Sequence, residues 1–343
     1  MQRTSSRNLT LAAILGLVLI SVSSTALAQY TVTNLTSNQS GKAKHVDPLL
    51  VNGWGLVYAP SGPFWISDEG NGWSTLYDGK GNPQSLQVVV PSASGSGAGS
   101  PTGIAYNGST QFQIDSWTSL FLYCTLDGTI QGWSHFEPNQ TLIAVNNSGS
   151  GSSYTGIAVT AHSSGNFLYV ADFANNKIDV YDGNFTFVKS FTDTGIPQGF
   201  APFNVQDING TLYVAYASTS GGSNGYVDTF NESGTLIKEL IHGKPLNQPW
   251  GFAIAPKNFG KLSNTLLVAN NTNNSSTISG FNLKSGKLVG TIKNQAGKPI
   301  KIDQLWGIDF GGGSSSNGKT NQLFFAAGPN NNADGLFGVI SPK

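Results

Sequence analysis

The chain has 343 residues, enough for a large core in one domain or two, and its 18 basic side chains balance 18 acidic ones. That balance excludes a basic surface built for nucleic acid or for an anionic membrane. Charged residues are only 10% of the chain and aromatics 11%, with 32 asparagines and many Ser, Thr and Gly supplying the polarity, which suits a turn-rich β protein and excludes a disordered one.

Arg3 and Arg7, the apolar run from Leu11 to Val22 and the small-x-small sequence Ala26-Leu27-Ala28 read as a cleaved leader over residues 1–28. The apolar run is too short to span a bilayer comfortably, and no later run is apolar enough. The expectation is therefore an exported, monomeric protein of residues 29–343, periplasmic or extracellular, with no membrane span in the mature chain.

The mature chain opens on "YTVTNLT" (30–36), a strand with no neighbour in sequence. Next comes a repeat marked by Trp54-Gly55, Thr102-Gly103, Thr155-Gly156, Phe203-Asn204, Trp250-Gly251 and Trp306-Gly307, at steps of roughly fifty residues. After each mark follows a short apolar run ("PFWISDEG", "LFLYCTLDG", "NFLYVADF", "GTLYVAYA", "NTLLVANN", "NQLFFAAG"), too short for a typical helix and bounded by Gly, Asn or Asp. Third runs follow in all six units and fourth runs in five, with hairpin signals such as Asp78-Gly79, Asp182-Gly183 and Ser285-Gly286 between them.

Four short antiparallel strands per unit, six times over, predict an all-β, six-bladed β-propeller. The sixth unit ends after its third run, at Ile340, so the N-terminal strand is expected to complete the last blade and remove an exposed edge. Gly55, Gly103, Gly156, Gly251 and Gly307 fall on the innermost strands, where a missing Cβ lets backbones approach. Trp54, Trp250 and Trp306 are expected to wedge between neighbouring blades. The alternative is that their rings face the channel mouth and stack on a sugar or another planar ligand.

With the repeats laid out, "NFLYVADFANNKIDVYDGNF" (166–185) resembles an NHL repeat. The stretches "LVNGWGL", "STLYDG", "GSPTGIAYN", "DGTIQGW", "YVADF", "APFNVQ", "PLNQPWGFAIAPKNFG" and "AGPNNNADGLFG" are similar to an uncharacterised bacterial family of exported NHL-like propellers, and they span nearly all blades. The resemblance implies the fold and export but brings no activity. Leu126 stands where the resemblance leads us to expect an acidic residue, and Asn331, Asn332 and Asp334 supply less charge than expected.

Loops joining second and third strands should gather at one channel mouth, with the segments that enter the first strands. That places Asn52, Asp68, Asp127, Asp172, Asn204, Asn270 and Asn330 as candidate ligand-binding residues for a small molecule, a glycan or a protein. Oxygen donors of this type suit calcium, with Asp68, Asp172 and Asn270 as its candidate ligands. "NNNADG" (330–335) imitates the start of a calcium loop but has Ser341 where a bidentate Glu is needed, and Asn and Asp are equally what tight turns prefer. His45, His135, His162 and His242 show no zinc-type spacing, "GGSNG" (221–225) lacks the strand-elbow-helix context of a serine nucleophile, and Cys124 reads as a small core side chain. Beside a purely structural envelope protein, two functions follow from these residues. One is a binding module using the loop-rich mouth. The other is a calcium-dependent hydrolase or lyase of the lactonase type acting on a lactone or carbohydrate.

Overall fold

The computed structural model describes Met1 and residues 30–160 and 165–343; the leader reading and His162 lie outside the described residues. Six antiparallel sheets form a six-bladed β-propeller. From the axis outward, blade 1 is Gly53–Tyr58, Phe64–Asp68, Trp73–Tyr77 and Val88–Val89. The innermost strands of blades 2 to 6 are Pro101–Tyr106, Tyr154–Thr160, Phe200–Ile208, Pro249–Ile254 and Leu305–Phe310.

The ring closes as the unpaired N-terminal run suggests. Tyr30–Ser37 pairs antiparallel with Leu336–Pro342 as the fourth strand of blade 6, with Tyr30 opposite Pro342 and Ser37 opposite Leu336. Two elements are additional to the sequence reading: His45–Val46 adds a short parallel strand outside Tyr30–Ser37, and a small hairpin, Gln113–Ile114 with Trp117–Thr118, is inserted in blade 2.

Strand side chains alternate between faces, and in a propeller both faces of a blade are covered by its neighbours. On Phe167–Asp172 of blade 3, Leu168 and Val170 pack toward blade 2, whereas Tyr169 and Ala171 pack toward blade 4. This is why the second-strand runs are continuously apolar. Six such clusters, one for each pair of adjacent blades, make up most of the core. Cys124 lies buried in the cluster between blades 2 and 3, where burial pushes its thiol up to about 12.

The inner glycines link one blade to the next. A Cβ on Gly55 would lie 2.6 Å from the Thr102 carbonyl oxygen, and one on Gly103 would lie 2.8 Å from the Ile157 nitrogen. On Gly156 it would meet the Cα of Asn204 at 2.7 Å. Gly251 and Gly307 continue the ring, at 2.5 Å from Trp306 O and 2.6 Å from Trp54 O. Blade 4 has Asn204 at this position, and its Nδ2 donates to Trp250 O at 2.8 Å, so a hydrogen bond replaces the bare contact. Gly307→Ala is expected to destabilise the protein by about 1–3 kcal/mol, because the added carbon meets backbone that cannot yield. Gly62→Ala is the control, since its nearest neighbour would be Ala59 Cβ at 3.5 Å. Urea midpoints compare the two; equal midpoints would contradict the close approach.

Candidate functional site in the axial channel

Trp54, Trp250 and Trp306 meet on the axis and close one end of the channel. Trp54 stacks on Trp306 at 3.7 Å between ring centroids, and Trp250 makes T-shaped contacts with both at 6.2 and 6.1 Å. Phe203 of blade 4 fills the remaining side against Trp54 and Trp306, and Leu126 packs on the same cluster. The wedge between neighbouring blades is thus corrected: three large rings project from three of the six converging strands, and the shared space they find is the axis. The three rings are buried against one another, which leaves little surface for a stacking ligand.

Local backbone geometry aims these rings. The residue two before each Trp is left-handed: Asn52 (φ 49°), Gln248 (φ 51°) and Gln304 (φ 47°). Asn tolerates that region better than most residues. Asn52 also ties the plug down. Its Oδ1 accepts the Trp306 indole N–H at 3.0 Å while its Nδ2 donates to Glu69 Oε2 at 2.6 Å. The Trp250 indole N–H reaches across the axis to Thr155 O at 2.9 Å.

Most of the other polar residues expected at this mouth are engaged by local partners. Asp172 accepts from Ser153 N at 3.1 Å and Asn175 Nδ2 at 2.8 Å, and Asn270 accepts from Asn247 N and donates to Pro245 O. Asp127 accepts from Ala93 N at 2.5 Å. Asp68 is fully buried at the contact between blades 1 and 6, where burial holds its carboxyl well above the usual range. Asn330 begins three consecutive left-handed residues, Asn330 to Asn332, so "NNNADG" is a left-handed turn, its Asn330 N–H bonded to Asp303. Asp68, Asp172 and Asn270 end the second strands of blades 1, 3 and 5. Among the described residues no three His, Cys, Asp or Glu side chains lie close enough to hold a metal ion. His242 pairs instead with buried Asp228 at 3.0 Å.

Beyond the plug, the channel is a cavity of about 210 Å³ lined by all six inner strands, from Asn204 and Trp250 at the plug end to Tyr106, Asp207 and Asp309. Asn204 is the one ligand-binding candidate from the sequence that lines it. Asp309 accepts its neighbour's N–H, from Phe310, at 2.7 Å, and burial raises its carboxyl to about 7. The Tyr58 hydroxyl is pushed up to about 12 by its own burial and by the charge of Asp309. Asp207 accepts from Gly210 N at 3.0 Å. No Lys, Arg or His lines the cavity among the described residues, so its charged groups are acidic.

Sequence reasoning missed Asp309, though a signal existed. The residue two after each mark's second position is Val57, Ala105, Ala158, Gln206, Ala253 or Asp309, and only blades 4 and 6 place a polar group there.

No family model matches the chain. The uncharacterised protein R648 of Acanthamoeba polyphaga mimivirus is 32% identical to it over 342 residues, covering 92% of this chain and 81% of R648. The chain belongs to the R648 family. Virginiamycin B lyase from Staphylococcus aureus superposes with a TM-score of 0.56 at 12% identity, over 91% of this chain and 99% of the lyase. Regucalcin from Agrobacterium tumefaciens, a calcium-binding protein, gives 0.51 at 12% identity, over 85% and 90%. At such identities the likeness is one of fold, and it extends the six-bladed architecture to this R648-family chain.

Proposed function

We propose that this chain is an exported binding protein that takes the cationic or hydrogen-bond-donating end of a small ligand into the axial cavity, through the mouth opposite the tryptophan plug. The observation that carries this reading is Asp309: a half-buried carboxyl group lining a channel plugged at its far end, with no basic side chain among the described lining residues. Burying such a group costs stability unless a partner compensates it, and a ligand's ammonium or hydroxyl group is such a partner. The volume suits a headgroup rather than a drug-sized molecule, for which pockets of about 300–1,000 Å³ are usual. The leader sequence and the resemblance to exported NHL-like propellers support export.

Thermal-shift measurements with primary amines, quaternary ammonium ions, calcium and matched carboxylates test the proposal. Calcium belongs in the set because the regucalcin fold neighbour binds it. Amines or cations should raise the melting temperature of the wild type and not of Asp309→Asn; equal stabilisation of both, or stabilisation by carboxylates alone, would overturn it.

A hydrolase or lyase is the second reading, favoured by one observation. A half-buried carboxyl raised to about 7 in a cavity is suited to general acid-base chemistry. Lactone turnover with a pH midpoint near 7, lost in Asp309→Asn, would establish it in place of simple binding.

Asp309 also sets a pH dependence. Its unfolded carboxyl ionises near 3.8 and its folded one near 7, so the folded state holds the extra proton between those values. Its contribution to stability therefore falls as pH rises through that window and is level above it. Asp309→Asn, measured against wild type, should gain melting temperature between pH 4.5 and pH 8. A difference that does not change with pH would contradict the raised carboxyl.

A further inference from the structure

A second pocket lies away from the axis, between the outer parts of blades 2 and 3. It has a volume of about 440 Å³. One wall is the end of strand Leu142–Asn146 and the segment after it, which contributes Asn147, Ser150 and Ser152. Strands Lys177–Asp182 and Phe187–Phe191 of blade 3 form the other.

The floor is a continuous polar network. Asp179, almost fully buried, accepts from Ser190 Oγ at 2.6 Å and from Tyr154 OH at 3.2 Å, and pairs with Lys177 Nζ at 2.9 Å. The Tyr154 and Tyr181 hydroxyls lie 3.1 Å apart, and Asn147 Nδ2 donates to both, at 2.7 and 2.8 Å. Asp172 stands 3.9 Å from Lys177 on its other side. These bonds hold each group in one orientation, which is the preorganisation a binding site needs.

The chemistry selects a ligand class. Lys177 is already compensated by two carboxylates, so an anion would meet their repulsion. A cation would meet Lys177. What the pocket does offer is a mixture of donors and acceptors: the Lys177 side chain, a third exposed, the Asn147 amide oxygen and the hydroxyls of Ser150 and Ser152. Phe187 stands beside them, 54% exposed and in a T-shaped contact with Tyr181 at 5.8 Å between centroids. An exposed aromatic face next to fixed polar groups matches a neutral ring that is apolar on one face and hydroxylated around its rim.

We infer that this pocket between blades 2 and 3 is a subsite for a neutral carbohydrate, with Phe187 stacking on a pyranose ring and Asn147 and Lys177 bonding its hydroxyls. The site is independent of the axial cavity.

Saturation-transfer NMR and calorimetry with glucose, galactose, N-acetylglucosamine and their β-linked disaccharides test it, with glucuronate and glucosamine as charged counterparts. At least one neutral sugar should bind. Phe187→Ala should weaken it about tenfold, the loss of one stacking contact. That variant removes an exposed ring and should stay folded, which its circular dichroism would verify. Asn147→Ala should weaken binding as well, whereas Asp309→Asn should leave it unchanged. No binding by any neutral sugar, binding of glucuronate alone, or full binding by folded Phe187→Ala would overturn the inference. Binding lost in Asp309→Asn but kept in Phe187→Ala would assign the sugar to the axial cavity and equally refute the second site.

Discussion

A chain that begins at Asn38 is expected to lose the folded ring rather than a peripheral strand. Tyr30–Ser37 supplies the whole fourth strand of blade 6 and fastens three blades. At one end the Tyr30 hydroxyl donates to Phe259 O in blade 5 at 2.8 Å, and its ring packs on Phe259 at 4.9 Å. Toward the other end, buried Leu35 joins the cluster between blades 6 and 1, and Thr36 Oγ1 donates to Gly81 O of blade 1 at 2.6 Å. Without it, Leu336–Pro342 becomes an exposed edge beside an uncovered apolar face, a template for aggregation. Circular dichroism and size-exclusion chromatography should find the shortened protein unfolded or aggregated; a monomer with the wild-type melting temperature would disprove closure by this strand.

Trp54→Ala is the second large effect. It removes the ring stacked on Trp306 and touching Trp250 and Phe203, at a site that neighbours held by six strands cannot collapse to fill. The cost should be about 3–5 kcal/mol, typical of deleting a buried Trp. For a domain of this size that corresponds to a fall in melting temperature of about 5–8 °C. The Phe variants give a sharper test. The Trp54 indole N–H is buried and unbonded among the described residues, whereas that of Trp306 bonds to Asn52 Oδ1. Trp306→Phe leaves a buried acceptor unpaired and should cost more than Trp54→Phe by about 1–3 kcal/mol. Guanidinium unfolding of the pair measures the difference, and the opposite order would show that the plug is held by packing alone.

The architecture was legible in the sequence because a propeller repeats. Six marks at near-constant spacing, the apolar second strands, and a sixth unit short by one strand led to the blade count and to closure by Tyr30–Ser37. Glycine at the inner position was readable for the same reason, as a steric requirement that recurs in five blades. The site was far less legible. Asp68, Asp172 and Asn270 look like a ligand set because they occupy corresponding places in the repeat, yet corresponding places in a ring face different neighbours. In the fold each meets its own loop or blade contact. Asp309, which does line the cavity, occurs once and breaks the repeat, so a search for regularity passes over it. The pocket between blades 2 and 3 joins Asn147 to Lys177, Tyr181 and Phe187, which no spacing rule associates.

What the sequence by itself determined was the period: strand, turn and glycine are local requirements, set by backbone sterics and side-chain alternation, and they can be read one blade at a time. Only the tertiary structure decided which end of the channel is open. Three tryptophans, far apart in the chain, converge where six inner strands meet, and their summed volume fills the mouth that the polar loops surround. Whether rings from different blades fill a common space depends on ring closure, a property of the assembled propeller that no single repeat contains.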